Sequence, residues 1–170
     1  MISCMHLFTV LALLGATIAN PVRNSCTPNF QGNALKVYTS SAEWTSYNSD
    51  GSQVNLAGFG AGSANQFLVE FTGQPTNAYH IKLVANTARN LQLTASNYGE
   101  LSFEETTSNG SQDFMIECNR CSDSGIEGQN CVIFRPRTNF CVTGSYPGQT
   151  LFLAKCDGSN AQRYTFVQVE

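Results

Sequence analysis

Histidine, tryptophan and charged side chains are scarce in this chain. Its 170 residues hold two histidines and one tryptophan, and Asp, Glu, Lys and Arg together make up 12%. The nine Lys and Arg are scattered among twelve acids, for a formal net charge of -3. No basic stripe exists to release counterions from a nucleic-acid backbone, so nucleic acid is excluded as a partner. An anionic membrane surface is excluded on the same ground. His6 lies in the N-terminal apolar segment, which leaves His80, in the strand-like run Tyr79–Val84, as the one imidazole of the mature chain. There is no Gly-x-Ser-x-Gly elbow, His-Glu-x-x-His pair or phosphate loop. Glu104 and Glu105 are adjacent on a strand-like run, so alternation sends them to opposite faces. The expectation is a protein that is not an enzyme and needs no cofactor or metal.

Long apolar runs are also missing, with one exception. Leu7 to Ala19 is a mostly apolar stretch of thirteen residues ending in small Thr17 and Ala19. It falls short of the ~20 residues needed to span a bilayer. Residues 1–19 are read as a secretory signal peptide cut before Asn20, although no Lys or Arg precedes the apolar run. Residues 20–170 are then one secreted, extracellular domain with no membrane insertion. Removing the signal removes Cys4 and leaves Cys26, Cys118, Cys121, Cys131, Cys141 and Cys156. An even count in an exported chain implies disulfides, with about 15 possible connectivities. Cys118 ends one expected strand and Cys131 opens its neighbour, so Cys131 has a local partner in Cys118 or Cys121, with Cys26 taking the one left over. Cys118-Asn119-Arg120-Cys121 has redox spacing but no βαβ pattern around it. Asn109-Gly110-Ser111 is a glycosylation sequon.

What the chain does have is short apolar runs separated by Gly, Ser, Asn and Pro, and no helical period across 11 residues. These runs recur. A Gln-aromatic step appears at Gln66-Phe67, Gln112-Asp113-Phe114 and Gln162-Arg163-Tyr164, each after a Gly/Ser/Asn turn. Each leads into a strand-like run: Phe67–Phe71, Phe114–Cys118 and Tyr164–Val169. Upstream of each lie three further runs, starting at Ser25–Phe30, Tyr79–Val84 and Cys131–Phe134. In the first copy Ser25–Phe30 is followed by Leu35–Tyr38. Three copies of four strands predict an all-β fold. A copy cannot bury its apolar face alone, so the copies must close together. A β-trefoil with a pseudo-threefold axis does this and leaves no barrel edge open. The alternative is an irregular β-sandwich.

Phe140-Cys141-Val142-Thr143, Cys156 and Gln162-Arg163-Tyr164 resemble the ricin B-chain (QxW) type of β-trefoil lectin, and the likeness extends more weakly over residues 25–170. The resemblance implies a carbohydrate-binding protein with glycans or glycoproteins as partners, and an intra-repeat disulfide Cys141–Cys156. It also shows departures. The family's sugar-binding Asp falls at Tyr38, Thr94 and Thr143, its stacking aromatic at Ala154, and its Asn before Gln is kept only as Asn65. The three glutamines Gln66, Gln112 and Gln162 read as structural, since a side-chain amide can satisfy turn backbone.

Sugar binding needs a flat aromatic with amides and carboxylates beside it. The loop Ser40–Ser52 offers Trp44, Tyr47, Asn48 and Asp50. Its counterparts offer Tyr98, beside Asn97, and Tyr146. Trp44 has a second reading, as a cap folded over the barrel. A different class of function, a protein-binding module such as a protease inhibitor, would present Ser40–Ser52 or Ser122–Asn130 as its loop.

Overall fold

The computed structural model describes residues 25–30, 32–60, 65–73, 78–84 and 89–169. The expected signal peptide, with Cys4, lies outside the described residues, as do Gln31 and the turn residues Gly62, Ser63 and Ala64. The described residues are all-β apart from short 3-10 geometry such as the turn Asn160–Gln162. The strands are β1 (Ala34–Tyr38), β2 (Glu43–Ser46), β3 (Ser52–Ala57), β4 (Phe67–Phe71), β5 (Tyr79–Leu83) and β6 (Gln92–Ala95). They continue with β7 (Leu101–Glu104), β8 (Met115–Cys121), β9 (Gly128–Phe134), β10 (Phe140–Thr143), β11 (Phe152–Lys155) and β12 (Tyr164–Gln168).

The antiparallel pairings form a closed ring. β1 pairs with β4, β4 with β5, and β5 reaches the start of β8 through the bridge Tyr79↔Phe114. β8 pairs with β9, β9 with β12, and β12 returns to β1. The remaining strands make three hairpins, β2–β3, β6–β7 and β10–β11. Alternation explains the core. Val37 faces Phe166, Val69 faces Ile81 and Ile116 faces Ile133 across neighbouring strands, and all six are buried. Phe67, Phe114 and Tyr164 start the fourth run of each segment and are buried as well. Burying each such side chain contributes roughly 1.5–3 kcal/mol.

The first segment is displaced by one strand from its expected place. Ser25–Phe30 forms no strand, only the bridge Cys26↔Cys118. Pro28 has no N–H to give a ladder, and Cys26 is held by a disulfide instead. Leu35–Tyr38, expected as a second strand, therefore belongs to the first strand β1. The second strand is β2, inside what reads as a polar loop, because Glu43-Trp44-Thr45-Ser46 has a single large apolar residue to mark it.

Three disulfides staple this frame: Cys26–Cys121, Cys118–Cys131 and Cys141–Cys156. Cys118 and Cys121 do not join each other, which removes the redox reading of their spacing. Cys118 lies directly opposite Cys131. The matching cross-strand pair between β4 and β5 is Phe71↔Tyr79, an edge-to-face aromatic contact at 5.4 Å. The chain-entropy model assigns about 3 kcal/mol to a loop of about 15 residues and over 4 kcal/mol to one of about 100, so the Cys26–Cys121 bridge, with its 95-residue separation, constrains the unfolded chain most.

Gly128 makes room for the crossing at β8–β9. A Cβ there would lie 2.6 Å from Cys118 Sγ and 2.8 Å from Cys131 Sγ. Gly128→Ala is therefore expected to lower stability by about 1–3 kcal/mol, read as a fall in the thermal midpoint of the oxidised protein. A second expectation concerns pH. Burial pushes the Tyr79 phenol up to about 12 and raises Tyr164 for the same reason. Unfolded tyrosine loses its proton near pH ~10. Between that pH and the native values the unfolded state binds fewer protons, so stability is full below pH ~10 and falls as pH rises through ~12. Urea midpoints measured from pH ~9 to ~11.5 should decline; flat midpoints would contradict this.

Candidate functional site

The hairpins set the site. Each hairpin turn rests on the third strand of the next segment. Gly51 N–H donates to Phe103 O at 2.8 Å, Gly99 O accepts from Leu153 N–H at 2.7 Å, and Gly148 N–H donates to Leu56 O at 2.7 Å. The bridges Glu100↔Phe152 and Asn55↔Thr150 and the β3–β7 ladder complete the three joints. Each turn carries one exposed tyrosine: Tyr47 at 78%, Tyr98 at 94% and Tyr146 at 61%.

The joint between the second and third segments is the most developed. Ser96 Oγ accepts from the N–H groups of Tyr98 and Glu100, at 3.2 and 3.1 Å, which fixes the turn that projects Tyr98. Gly99 has φ +86°, and a Cβ there would meet Leu153 O at 3.2 Å, so only glycine seats the turn this closely. Below Tyr98 lies a cleft of about 330 Å³ lined by Ser96, Asn97, Tyr98, Gly99, Arg135, Thr138, Phe140 and Leu153. Phe140 is 49% exposed although it lies in β10. A second cleft of about 450 Å³ is lined by Gly110, Asp113, Met115, Phe134, Arg135, Pro136 and Arg137. Arg135 borders both. Its Nη2 donates to Gly110 O at 3.3 Å, while its buried Nε has no hydrogen-bond partner among the described residues. Asp113 is engaged by His80, Nε2 to Oδ1 at 3.0 Å. Together the clefts offer aromatic faces, an amide, hydroxyls and guanidinium groups, which can hold a polar ring-shaped ligand. Among the described residues there is no cluster of His, Cys, Asp and Glu fit for a metal.

The other expected residues are dispersed. Trp44 is fully buried in β2, edge-on to Phe67 at 5.8 Å and to Tyr164 at 5.4 Å. It occupies the register position that Leu93 and Val142 hold in the other hairpins, and has no face to offer a ligand. Asp50 is engaged across the joint with the second segment, accepting from Glu105 N–H at 3.2 Å. Asn48 is exposed beside Tyr47. Tyr47 O is tied by Ser52 Oγ at 2.5 Å. Asn109 is exposed, with its Oδ1 accepting from Ser111 N–H at 2.9 Å. The projecting loops expected of a protease inhibitor are short. Ser40–Ser52 contains β2, and Ser122–Glu127 closes tightly through Ser122 N–H to Glu127 O.

The glutamines form a second constellation. Gln112 Nε2 donates to Thr94 Oγ1 and Glu105 O, both at 2.9 Å, and its Oε1 accepts from Thr107 N–H at 2.8 Å. Gln162 does the same with Thr143 Oγ1, Lys155 O, and the N–H groups of Asp157 and Gly158. In the first segment the residue two before the strand aromatic is Asn65, not Gln66. Asn65 Nδ2 donates to Ser46 O at 2.8 Å and its Oδ1 accepts from Thr45 Oγ1 at 3.4 Å. Gln66 enters through its carbonyl, which accepts from Val84 N–H. So Asn65 holds the hairpin, and Thr45, not Tyr38, matches Thr94 and Thr143. Arg135, Thr138 and Phe140 escaped the sequence reading. The signal was present: Arg135-Pro136-Arg137 places two of the nine basic residues in one turn.

No protein-family model matches the chain, and no curated protein matches it in sequence. Solved structures do match in fold. ThreeFoil, a designed three-fold symmetric protein, is 15% identical, covers 80% of this chain and 99% of its own, and has a TM-score of 0.59. A salivary protein from Culex quiquefasciatus, of the Cysteine and Tryptophan-Rich family, is 10% identical over 88% of this chain and 100% of its own, TM-score 0.59. A lectin from Polyporus squamosus is 14% identical over 82% of this chain and 50% of its own, TM-score 0.59. At these identities the likeness concerns the fold, and that fold is trefoil-like.

Gln162→Ala removes a buried amide that ties Thr143 to the N–H groups of Asp157 and Gly158 and the carbonyl of Lys155, and is expected to cost about 1 kcal/mol. Asn65→Ala should cost more than Gln66→Ala in the same urea titrations, and the reverse order would sink the assignment of Asn65.

Proposed function

We propose that this chain is a secreted, disulfide-bonded β-trefoil of three four-stranded repeats, divergent from the ricin B-chain type, that binds carbohydrate and has no catalytic role. Several observations support the architecture: the recurring ring and hairpin pairings, the hydrogen-bond sets of Gln112 and Gln162, and the trefoil-like neighbours. Three disulfides support an oxidising compartment. Among the described residues no helix is long and apolar enough to cross a membrane.

The observation that carries the binding reading is Tyr98. A tyrosine 94% exposed on its turn, at the rim of a cleft with Asn97, Ser96 and Thr138, supports this reading because it can serve as a stacking face with hydroxyl and amide groups beside it. The Polyporus squamosus neighbour is a lectin, which adds analogy at the level of fold. A protein-binding role would draw on a projecting loop, and the two candidate loops are short and tied down.

A glycan array on the mature protein should yield hits, and Tyr98→Ala should weaken them at least ~10-fold, the loss of one stacking aromatic in a small site. Emission from buried Trp44 should stay unchanged on binding. No hits, or full binding by Tyr98→Ala, would remove this reading. Binding of a protein partner unaffected by sugar competition would replace it.

A further inference from the structure

We propose that the turn Arg135-Pro136-Arg137 is an anion-recognition element, and that the glycan this protein takes carries a carboxylate or sulfate group. The sugar part of this proposal rests on the carbohydrate reading above; the charge part rests on its own observations.

The first observation is Arg135. A guanidinium N–H buried without an acceptor is costly, and native proteins rarely leave one so. Nε is buried and unpartnered among the described residues, and only Nη2 is used, on the carbonyl of Gly110. The side chain borders both clefts. Nε itself is closed off, so the groups this side chain can bring to the clefts it borders are the N–H groups at its Nη end, which match the oxygens of a carboxylate or sulfate.

The second observation is Arg137. It has φ +60° immediately after Pro136. Thr138 closes the turn, its N–H and Oγ1 both donating to Arg135 O, at 3.3 and 3.0 Å. A turn with positive φ after proline usually places glycine or asparagine there. An arginine held in this conformation is strained, and backbone strain of this kind concentrates at ligand sites. The turn thus presents a second cation beside the first, at the lip of the same cleft.

The third observation is the charge around them. The cleft under Tyr98 has no acid in its lining. The adjoining cleft has Asp113, whose carboxylate is held by His80. In a chain with a formal charge of -3, this is a locally cationic surface. A neutral sugar needs a stacking face and neutral hydrogen-bond partners, which Tyr98, Phe140, Asn97 and Thr138 supply. It has no use for two guanidinium side chains, Arg135 and Arg137, lining one cleft. An acidic sugar uses both.

The test is a set of calorimetric titrations at fixed ionic strength. The ligands are a glucuronate-terminated oligosaccharide, its glucose-terminated counterpart, a sulfated version of the same oligosaccharide, and inorganic sulfate alone. The wild-type protein should bind at least one acidic oligosaccharide ~10-fold or more tightly than the neutral one, and added NaCl should erode that preference. The carboxylate and sulfate arms identify the group. Arg135→Gln should abolish the preference, and Arg135→Lys should lose most of it, since an ammonium keeps the charge without the fork. Arg137→Gly relieves the strain, so its thermal midpoint should be unchanged or higher while acidic-glycan affinity falls. Trp44 emission and the thermal midpoint verify that each variant is folded. Equal affinity for neutral and acidic oligosaccharides overturns the proposal and leaves the carbohydrate reading intact. Folded arginine variants that keep the preference also overturn it. Binding of sulfate with no binding of any oligosaccharide sinks the glycan assignment and the carbohydrate reading together.

Discussion

Each hairpin turn sits on the third strand of the next segment, and the three contacts close a circle. The circle rests on main-chain hydrogen bonds at Gly51, Gly99 and Gly148, and the side chains follow from it. A hairpin buries Trp44, Leu93 or Val142 only because its neighbours cover that face. The barrel obeys the same constraint, since β1 completes its ladders only with β12 on one side and β4 on the other. No segment is self-sufficient, and the position of every loop is fixed by the segment it leans on. The cleft beneath Tyr98 is a product of this arrangement: one wall comes from the β6–β7 turn and the other from β9–β11.

Within that frame, equivalent positions carry different chemistry. The pair that is Phe71 and Tyr79 between β4 and β5 becomes a disulfide between β8 and β9. The amide that holds the hairpin is glutamine in two segments and asparagine in the first. These exchanges preserve the main-chain geometry because each replacement meets the same need: one keeps a cross-strand contact, the other ties the hairpin to the turn that enters the barrel strand. Surface positions face no such demand, so each of the three exposed tyrosines has its own surroundings.

Much of the fold was legible in the sequence, because apolar alternation and turn residues report directly on strands in the core. Phe67–Phe71 and Tyr164–Gln168 fall within the expected runs. The cysteine partners expected for Cys131 and Cys26 include the pairs the structure contains. The first segment was misplaced because β2 has a polar sequence around one buried tryptophan, and a period of two cannot be read from a single apolar residue. The glutamine step is offset there for a related reason: Asn65 ties the hairpin through a smaller set of hydrogen bonds, to Thr45 and Ser46, and nearby Gln66 looks like the better match. The site was only partly legible. Tyr98 stands out as a loop aromatic, whereas the approach of Arg135 and Phe140 to the β6–β7 turn depends on two segments meeting, which no local pattern encodes.

Pairing of β1 with β12 has a consequence for how the chain is made. The first strand of the barrel waits for the last: Leu35 can meet Phe67 of β4 early, but its second cross-strand partner, Gln168, comes only with β12. Cys26 likewise waits for Cys121, across most of the domain. Contacts this distant in sequence make folding slow, since the loops must close before the contacts form. Until β12 and Cys121 have been made, the early strands have apolar faces uncovered and Cys26 lacks its partner, so closure of the barrel and of the Cys26–Cys121 bridge waits for the C-terminal segment.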